Sequence, residues 1–210
     1  MKKYKNIGLD IDDTLTTFEL EDKLLRDVYP QLTSHPEGWR TWNPGQDPAS
    51  EITEQQSDAM WSKPAKDDPS ISNIEYLWYH SRVNLNVWQA VNSFLDKSEI
   101  YNGIYIISHR DDTQTVIENT RDNLEKQGVN FANIRDMIFV DQSDKKLEVA
   151  KSLDIDLMFE DKPSTLQQFY ADNTIDTAKV LRPWNAGTRA TYRVNPLNGE
   201  IKELTTLIHN

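Results

Sequence analysis

From Ile104 onward, short apolar runs alternate with segments of helical period, and this alternation most narrows what the chain can fold into. The pattern predicts strands over 104–108, 137–140, 156–160 and 178–181. Between them it predicts helices over 113–127, 145–153 and 164–171, the first closed by Gly128. A further strand is predicted over 3–10, where Tyr4, Ile7 and Leu9 run into acidic residues. Strands separated by helices of this length require right-handed crossovers, which makes the sheet parallel and covers both its faces. The expected fold class is therefore α/β, with a Rossmann-like parallel sheet as its core. Ligands of such sheets gather beyond the C-terminal ends of the strands, so the residues at those ends carry the functional argument.

A chain of 210 residues can build one such core and still carry an insertion. The insertion is visible in the sequence. After a helical pattern over 18–29, ended by Pro30, the prolines crowd between Pro30 and Pro69 together with Gly38 and Gly45. This reads as loop-rich chain with a short helix over 50–61. Ile74, Leu77 and Trp78, then Leu85, Trp88, Val91 and Leu95, predict two helices broken near Asn84 and Asn86. The expected organisation is a first core segment over 1–16, a small helical insertion over 17–85, and a second core segment over 86–210. Trp39, Trp42, Trp61, Trp78 and Trp88 all fall between residues 39 and 88. They are expected mainly to supply the insertion's core, with Trp88 packing on the helix that returns to the sheet. Trp39 and Trp42 are better candidates for exposed stacking surfaces.

Composition excludes several function classes. With no cysteine there is no disulfide scaffold, thiolate metal site or cysteine nucleophile. No apolar run approaches the roughly 18 residues of a membrane span, and the opening MKKYKNIGLD carries no small-residue cleavage site. The expected setting is the cytoplasm, with no membrane partner. Acidic residues number 34 against 23 basic ones, for a net charge of −11. That charge repels a long nucleic acid and leaves a compact anion in one pocket as the expected partner.

The strand ends are rich in chemistry. The segment IGLDIDDTLT places Asp10 and Asp12 on one face of an extended chain, where two carboxylates repel unless a cation lies between them. The same residues also suit a turn and helix cap. Ser108, in GIYIISHRDD, is either a helix cap or part of a phosphate cradle at a helix N-terminus. His109 and His80 have no second ligand at metal spacing and read as structural or solvated. Lys145 and Lys146 open a helix, where the macrodipole disfavours a cation. One of them serves an anion, or both are solvated. The strand LMFEDKPS ends on Glu160 and Asp161.

This ordered set resembles the haloacid dehalogenase superfamily of phosphotransferases. Asp10, Asp12 and Thr14 match its D-x-D-x-T motif, Ser108 its second motif, Lys146 or Lys145 its lysine, and Glu160 with Asp161 its final acidic pair. Lys146 is preferred because a K-x-x-x-x-K pattern fits Lys146 and Lys151. Asp13 stands where many members have glycine, and Glu160 where many have aspartate or glycine. The resemblance covers roughly residues 1–16 and 86–210 and makes the insertion a helical cap. It implies that Asp10 is a nucleophile forming an aspartyl-phosphate and Asp12 a general acid and base. It also implies Mg2+ held by Asp10, the Asp12 backbone carbonyl and Asp161. Ser108 and Lys146 would bind the phosphoryl group, with Glu160 positioning the lysine or the metal waters.

Within the superfamily, DIDDTLTTFE is similar to the 5′(3′)-deoxyribonucleotidase branch, in which an aromatic follows the nucleophile by eight residues. That resemblance implies a nucleoside 5′-monophosphate substrate, preferably deoxy, with Phe18 contacting its base. Phe18 could equally staple the cap helix to the core. The alternatives are a phosphatase of sugar phosphates or other small metabolites, and a phosphate-binding or phosphotransfer member that does not hydrolyse. Late in the chain, Arg182, Pro183, Trp184 and Asn185 either line the cleft or close the domain edge.

Overall fold

The fold is that of a computed structural model, which describes residues 2–17, 24, 27 and 54–204. Strand β1, Asn6–Leu9, is apolar without alternation because both of its faces are covered, and Ile7 and Leu9 are fully buried. Gly8 permits the close approach of the neighbouring strand: a Cβ there would lie 2.6 Å from Met158 Sδ. Two helices, α1 (Glu54–Trp61) and α2 (Asn73–His80), follow in the inserted region. The core then continues through α3 (Leu85–Phe94), β2 (Gly103–His109), α4 (Gln114–Lys126) and β3 (Ile134–Val140). Next come α5 (Lys146–Ser152), β4 (Leu157–Glu160), α6 (Pro163–Asp172) and β5 (Asp176–Val180). Strands β6 (Tyr192–Val194) and β7 (Ile201–Glu203) complete the sheet.

The seven strands run in the order β3-β2-β1-β4-β5-β6-β7, parallel except for the antiparallel β6–β7 pair. The chain builds outward from β1 through β2 to β3, then crosses back to place β4 on the other side of β1. That reversal puts the switch point of the sheet between β1 and β4, at whose C-terminal ends folds of this kind form their ligand crevice. On one side of the sheet, Tyr4, Phe94, Phe159 and Tyr192 form a cluster of tilted and edge-on rings. Another buried cluster joins Ile107, Ala150, Ile155, Met158, Phe169 and Ile175.

The chain divides into two compact units, Met1–Thr16 with Val83–Asn210, and Thr17–Arg82. In the first, Thr16 pairs with Val83, and Asn84 N–H donates to Leu15 C=O at 2.8 Å. The chain thus re-enters the core unit at Val83, three residues ahead of the boundary read from the sequence. The expected break between two helices falls at Asn84, whose side chain caps α3 by accepting from the N–H groups of Asn86 and Val87. In the second unit, Ser72 and Glu75 cap α2 reciprocally, and His80 lies against the Tyr76 ring. Trp78 is buried there, and Trp88 is buried in the core unit.

Strands β6 and β7 were not expected. Each has three residues and mixes polar with apolar ones, so neither leaves a run long enough to read. Phe18, Trp39, Trp42 and most of the helix expected over 18–29 lie outside the described residues; Leu24 and Asp27 within it are helical. Among the described residues, no helix is long and apolar enough to cross a membrane.

Asn84→Ala removes the one oxygen that accepts from two N–H groups at the start of α3. The expected loss is about 1 kcal/mol, and a thermal melt should show a midpoint lowered by roughly 2–4 °C.

Candidate active site

The crevice is built from the ends of three strands. Asp10 follows β1 directly and continues its ladder toward β4, its N–H donating to Phe159 C=O at 3.1 Å. The chain then turns sharply through Ile11–Leu15, with Asp13 in the left-handed region at φ 57°. Glycine tolerates that conformation best and aspartate better than most residues. This accounts for aspartate at a position where many proteins with this motif have glycine. The turn folds Thr14 back, so that its hydroxyl donates to Asp161 Oδ1 at 2.9 Å and lies 3.5 Å from Asp10 Oδ2.

Two donors converge on the other oxygen of Asp10. Ser108, near the end of β2, donates from Oγ to Asp10 Oδ1 at 2.8 Å. Lys146, the first residue of α5, places Nζ 2.7 Å from the same oxygen and 2.8 Å from Glu160 Oε2. All these side chains are buried, with Glu160 fully enclosed. Lys145 points elsewhere, pairing with Asp141 at the surface. The structure therefore sets Lys146, rather than Lys145, against Asp10. The second oxygen of Glu160 accepts from the N–H groups of Asp161 and Lys162, which locks the end of β4.

Asp12 takes a different position. Its carboxylate sits in the fork of Arg110, with Nη2 2.6 Å from Oδ1 and Nε 2.9 Å from Oδ2. The arginine side chain is fully buried, and its Nη1 donates to Thr120 Oγ1 at 2.8 Å. A bidentate guanidinium–carboxylate pair fixes both position and plane. Arg110 was not singled out from the sequence, although it lies two residues beyond Ser108 in the same segment. Trp184 and Asn185 also reach the site: the indole N–H donates to Asp161 Oδ2 at 2.9 Å, and the Asn185 amide donates to the Asp161 carbonyl at 2.8 Å. His109 is exposed, with Nε2 2.9 Å from Asp141 C=O.

The electrostatics follow from this crowding. Burial, the Asp10 charge and the Asp161 charge push Glu160 up to about 8, although Lys146 opposes the shift. Burial, with Asp13 and Asp10 beside it, raises Asp161 to about 7, opposed by Arg182 and the Thr14 hydroxyl. Burial disfavours the Lys146 ammonium, but Asp10 and Glu160 outweigh that and hold its pKa above the usual lysine range. One oxygen from each of Asp10, Glu160 and Asp161 lies within 4.8 Å of the others. An all-oxygen, buried set with surplus negative charge fits a hard divalent cation. The Asp12 side chain is not in this set, and the Glu160 oxygens are already engaged. Glu160 meets the Lys146 ammonium, whereas Asp161 is met by the neutral donors Thr14 and Trp184.

The sequence matches no family model and no curated protein. Its structure does match solved ones. YfnB from Bacillus subtilis, described as a HAD-hydrolase and solved in an orthorhombic form with magnesium bound, superposes with a TM-score of 0.51. The two chains are 13% identical over 92% of this chain and 95% of the other. The likeness shows the fold: a Rossmann-like core interrupted by a second unit.

Raised carboxyl pKa values mean that the folded protein holds protons the unfolded chain has released. Between an ordinary carboxyl pKa near 4 and the values of about 7 and 8, the contribution of Glu160 and Asp161 to stability therefore falls as pH rises. A cation held against Asp161 would offset that carboxylate's share of the loss. The expected result is a larger rise in melting temperature on adding Mg2+ at pH 8 than at pH 5.5, read against a chelator control. An equal rise at both values would contradict it.

Proposed function

We propose that the chain is a magnesium-dependent phosphomonoester hydrolase that works through an aspartyl-phosphate on Asp10. The observation that carries this reading is the convergence of Ser108 Oγ and Lys146 Nζ on one oxygen of a buried aspartate at the reversal of the sheet. These donors suit a carboxylate that must be aimed. They also suit the phosphoryl oxygens that would arrive beside it, whose charge needs stabilising throughout transfer.

In the proposed reaction an Asp10 oxygen forms a bond to phosphorus while the bond to the leaving oxygen breaks, dividing one difficult displacement into two. Asp12 gives a proton to the departing oxygen, then takes one from the water that releases phosphate and restores Asp10. Both Asp12 oxygens are engaged by Arg110, so this acid–base work requires the fork to open at least in part. Asp10 and Asp161, with the Asp12 backbone carbonyl, would hold Mg2+, which supplies charge neutralisation between the carboxylates and the incoming phosphate. Thr14 and Glu160 keep Asp161 and Lys146 in place. Magnesium in the YfnB crystal supports the choice of ion.

The substrate we infer is a (deoxy)nucleoside 5′-monophosphate. Support comes from the DIDDTLTTFE segment, in which Phe18 follows Asp10 by eight residues. The net charge of −11 favours a small phosphorylated substrate over a polynucleotide end. A chain without cysteine suits a reducing, cytoplasmic setting. A sugar phosphate or other small phosphorylated metabolite is the alternative to be run beside the nucleotides.

Two experiments test the reading. Asp10→Asn should abolish release of phosphate from an aryl phosphate while leaving the fold intact; unchanged turnover would end the proposal. A Mg2+-supported screen across nucleoside monophosphates and sugar phosphates should favour the former. In it, Phe18→Leu should raise KM for deoxynucleotides about ten- to hundredfold, the equivalent of about 1–3 kcal/mol of base stacking, with little change for the aryl phosphate. Equal effects on both substrates would leave a phosphatase without the nucleotide preference.

A further inference from the structure

Asp161 is restrained from several directions at once. Thr14 donates to one carboxylate oxygen and Trp184 Nε1 to the other, each at 2.9 Å. Its own N–H is tied to Glu160, and its carbonyl accepts from Asn185 at 2.8 Å. The last two of these side-chain donors, Trp184 and Asn185, come from one short turn after β5, Pro183–Asn185.

That turn is itself built to be rigid. Asn185 is fully buried, donates also to Val180 C=O at 2.8 Å, and accepts from Arg182 N–H at 3.1 Å. Beneath it, the largely buried Lys179 of β5 donates to the carbonyls of Asn185, Ala186 and Thr188, at 3.2, 3.1 and 2.6 Å. A lysine whose ammonium is spent on three backbone carbonyls of one loop is fixing the path of that loop. What the loop then presents is an indole N–H. A tryptophan placed only to close the domain edge would need some partner for that N–H; here the partner is the buried carboxylate of Asp161.

We propose that Trp184 is a positioning residue: its N–H, steadied by Asn185 and Lys179, pre-orients the Asp161 carboxylate for a hard divalent cation. The proposal rests on the reading of Asp161 as a metal ligand. An indole N–H is well suited to the task. It is a donor only and does not titrate, so it restrains the carboxylate without competing for the cation. Groups that orient a metal's ligands commonly change affinity about ten- to hundredfold when removed.

The test is direct titration of the full-length, metal-free protein with Mg2+ by calorimetry, without substrate. Trp184→Phe keeps the ring and removes the N–H. It should weaken Mg2+ binding about ten- to hundredfold while the metal-free melting temperature stays near that of the wild type. Wild-type affinity in Trp184→Phe would overturn the proposal and leave the metal reading standing. Asp161→Asn separates the two: if it binds Mg2+ like the wild type, or if the wild type binds none, the metal reading fails and takes this proposal with it. Should Trp184→Phe not fold, the wild type still decides the question. The assigned Trp184 indole N–H resonance should broaden strongly as Mn2+ fills the site, and a resonance still sharp at saturation would overturn the assignment.

Discussion

Lys146 stands between two buried carboxylates, 2.7 Å from Asp10 and 2.8 Å from Glu160, and the architecture of the crevice depends on that contact. Pairing of β1 with β4 in the register Leu9↔Phe159 sets the residues following each strand side by side. Those residues are acidic on both strands. Without a cation among them, the cost of burying and crowding these charges would be large. Even with the lysine in place, Glu160 and Asp161 titrate well above ordinary carboxyl groups. Such a cluster is a poor device for stability, since apolar residues of the same volume often do as well. Perturbed groups collected in a cleft are, in contrast, what sites of chemistry look like.

The division of charge within the site is equally informative. Asp12, the second acid of the pair on β1's extension, does not share the surplus, because Arg110 meets it in a closed bidentate pair. Asp10 shares the Lys146 ammonium with Glu160, and Asp161 is met by the neutral donors Thr14 and Trp184. Asp12 is set apart from them and more exposed: its side chain is 29% accessible while that of Arg110 is fully buried. The arginine is held by Thr120 from α4, so the geometry of Asp12 is fixed by the helix that follows β2. The same segment thus contributes both the Ser108 hydroxyl beside Asp10 and the partner of Asp12.

Much of this could be read from the chain. The parallel core was legible because its central strands are apolar on both faces and its helices carry clear caps, such as Thr113 before α4 and Pro163 opening α6. Asp10, Ser108, Lys146 and Asp161 were legible because each lies at a strand end or a helix start, where a polar residue breaks an apolar pattern. Arg110 was not, since an arginine just past a strand looks like any surface cation until the fold buries it. Trp184 could be placed near the cleft or at an edge but not on Asp161, because that contact spans 23 residues and a β-strand. Lys179 reads as an ordinary strand lysine; only the backbone path of residues 185–188 shows what it holds. The edge strands β6 and β7 were too short to leave a pattern.

The central claim is that Asp10 carries the phosphoryl group, and the most direct test is to trap it there. Enzyme turning over an aryl phosphate with Mg2+ is quenched with borohydride, which reduces an acyl phosphate to the alcohol, and the peptide that spans β1 is then examined by mass spectrometry. The account predicts homoserine at position 10, dependent on substrate and absent from Asp10→Asn. Reduction at a different carboxylate, or steady turnover with no trapped residue at position 10, would contradict it.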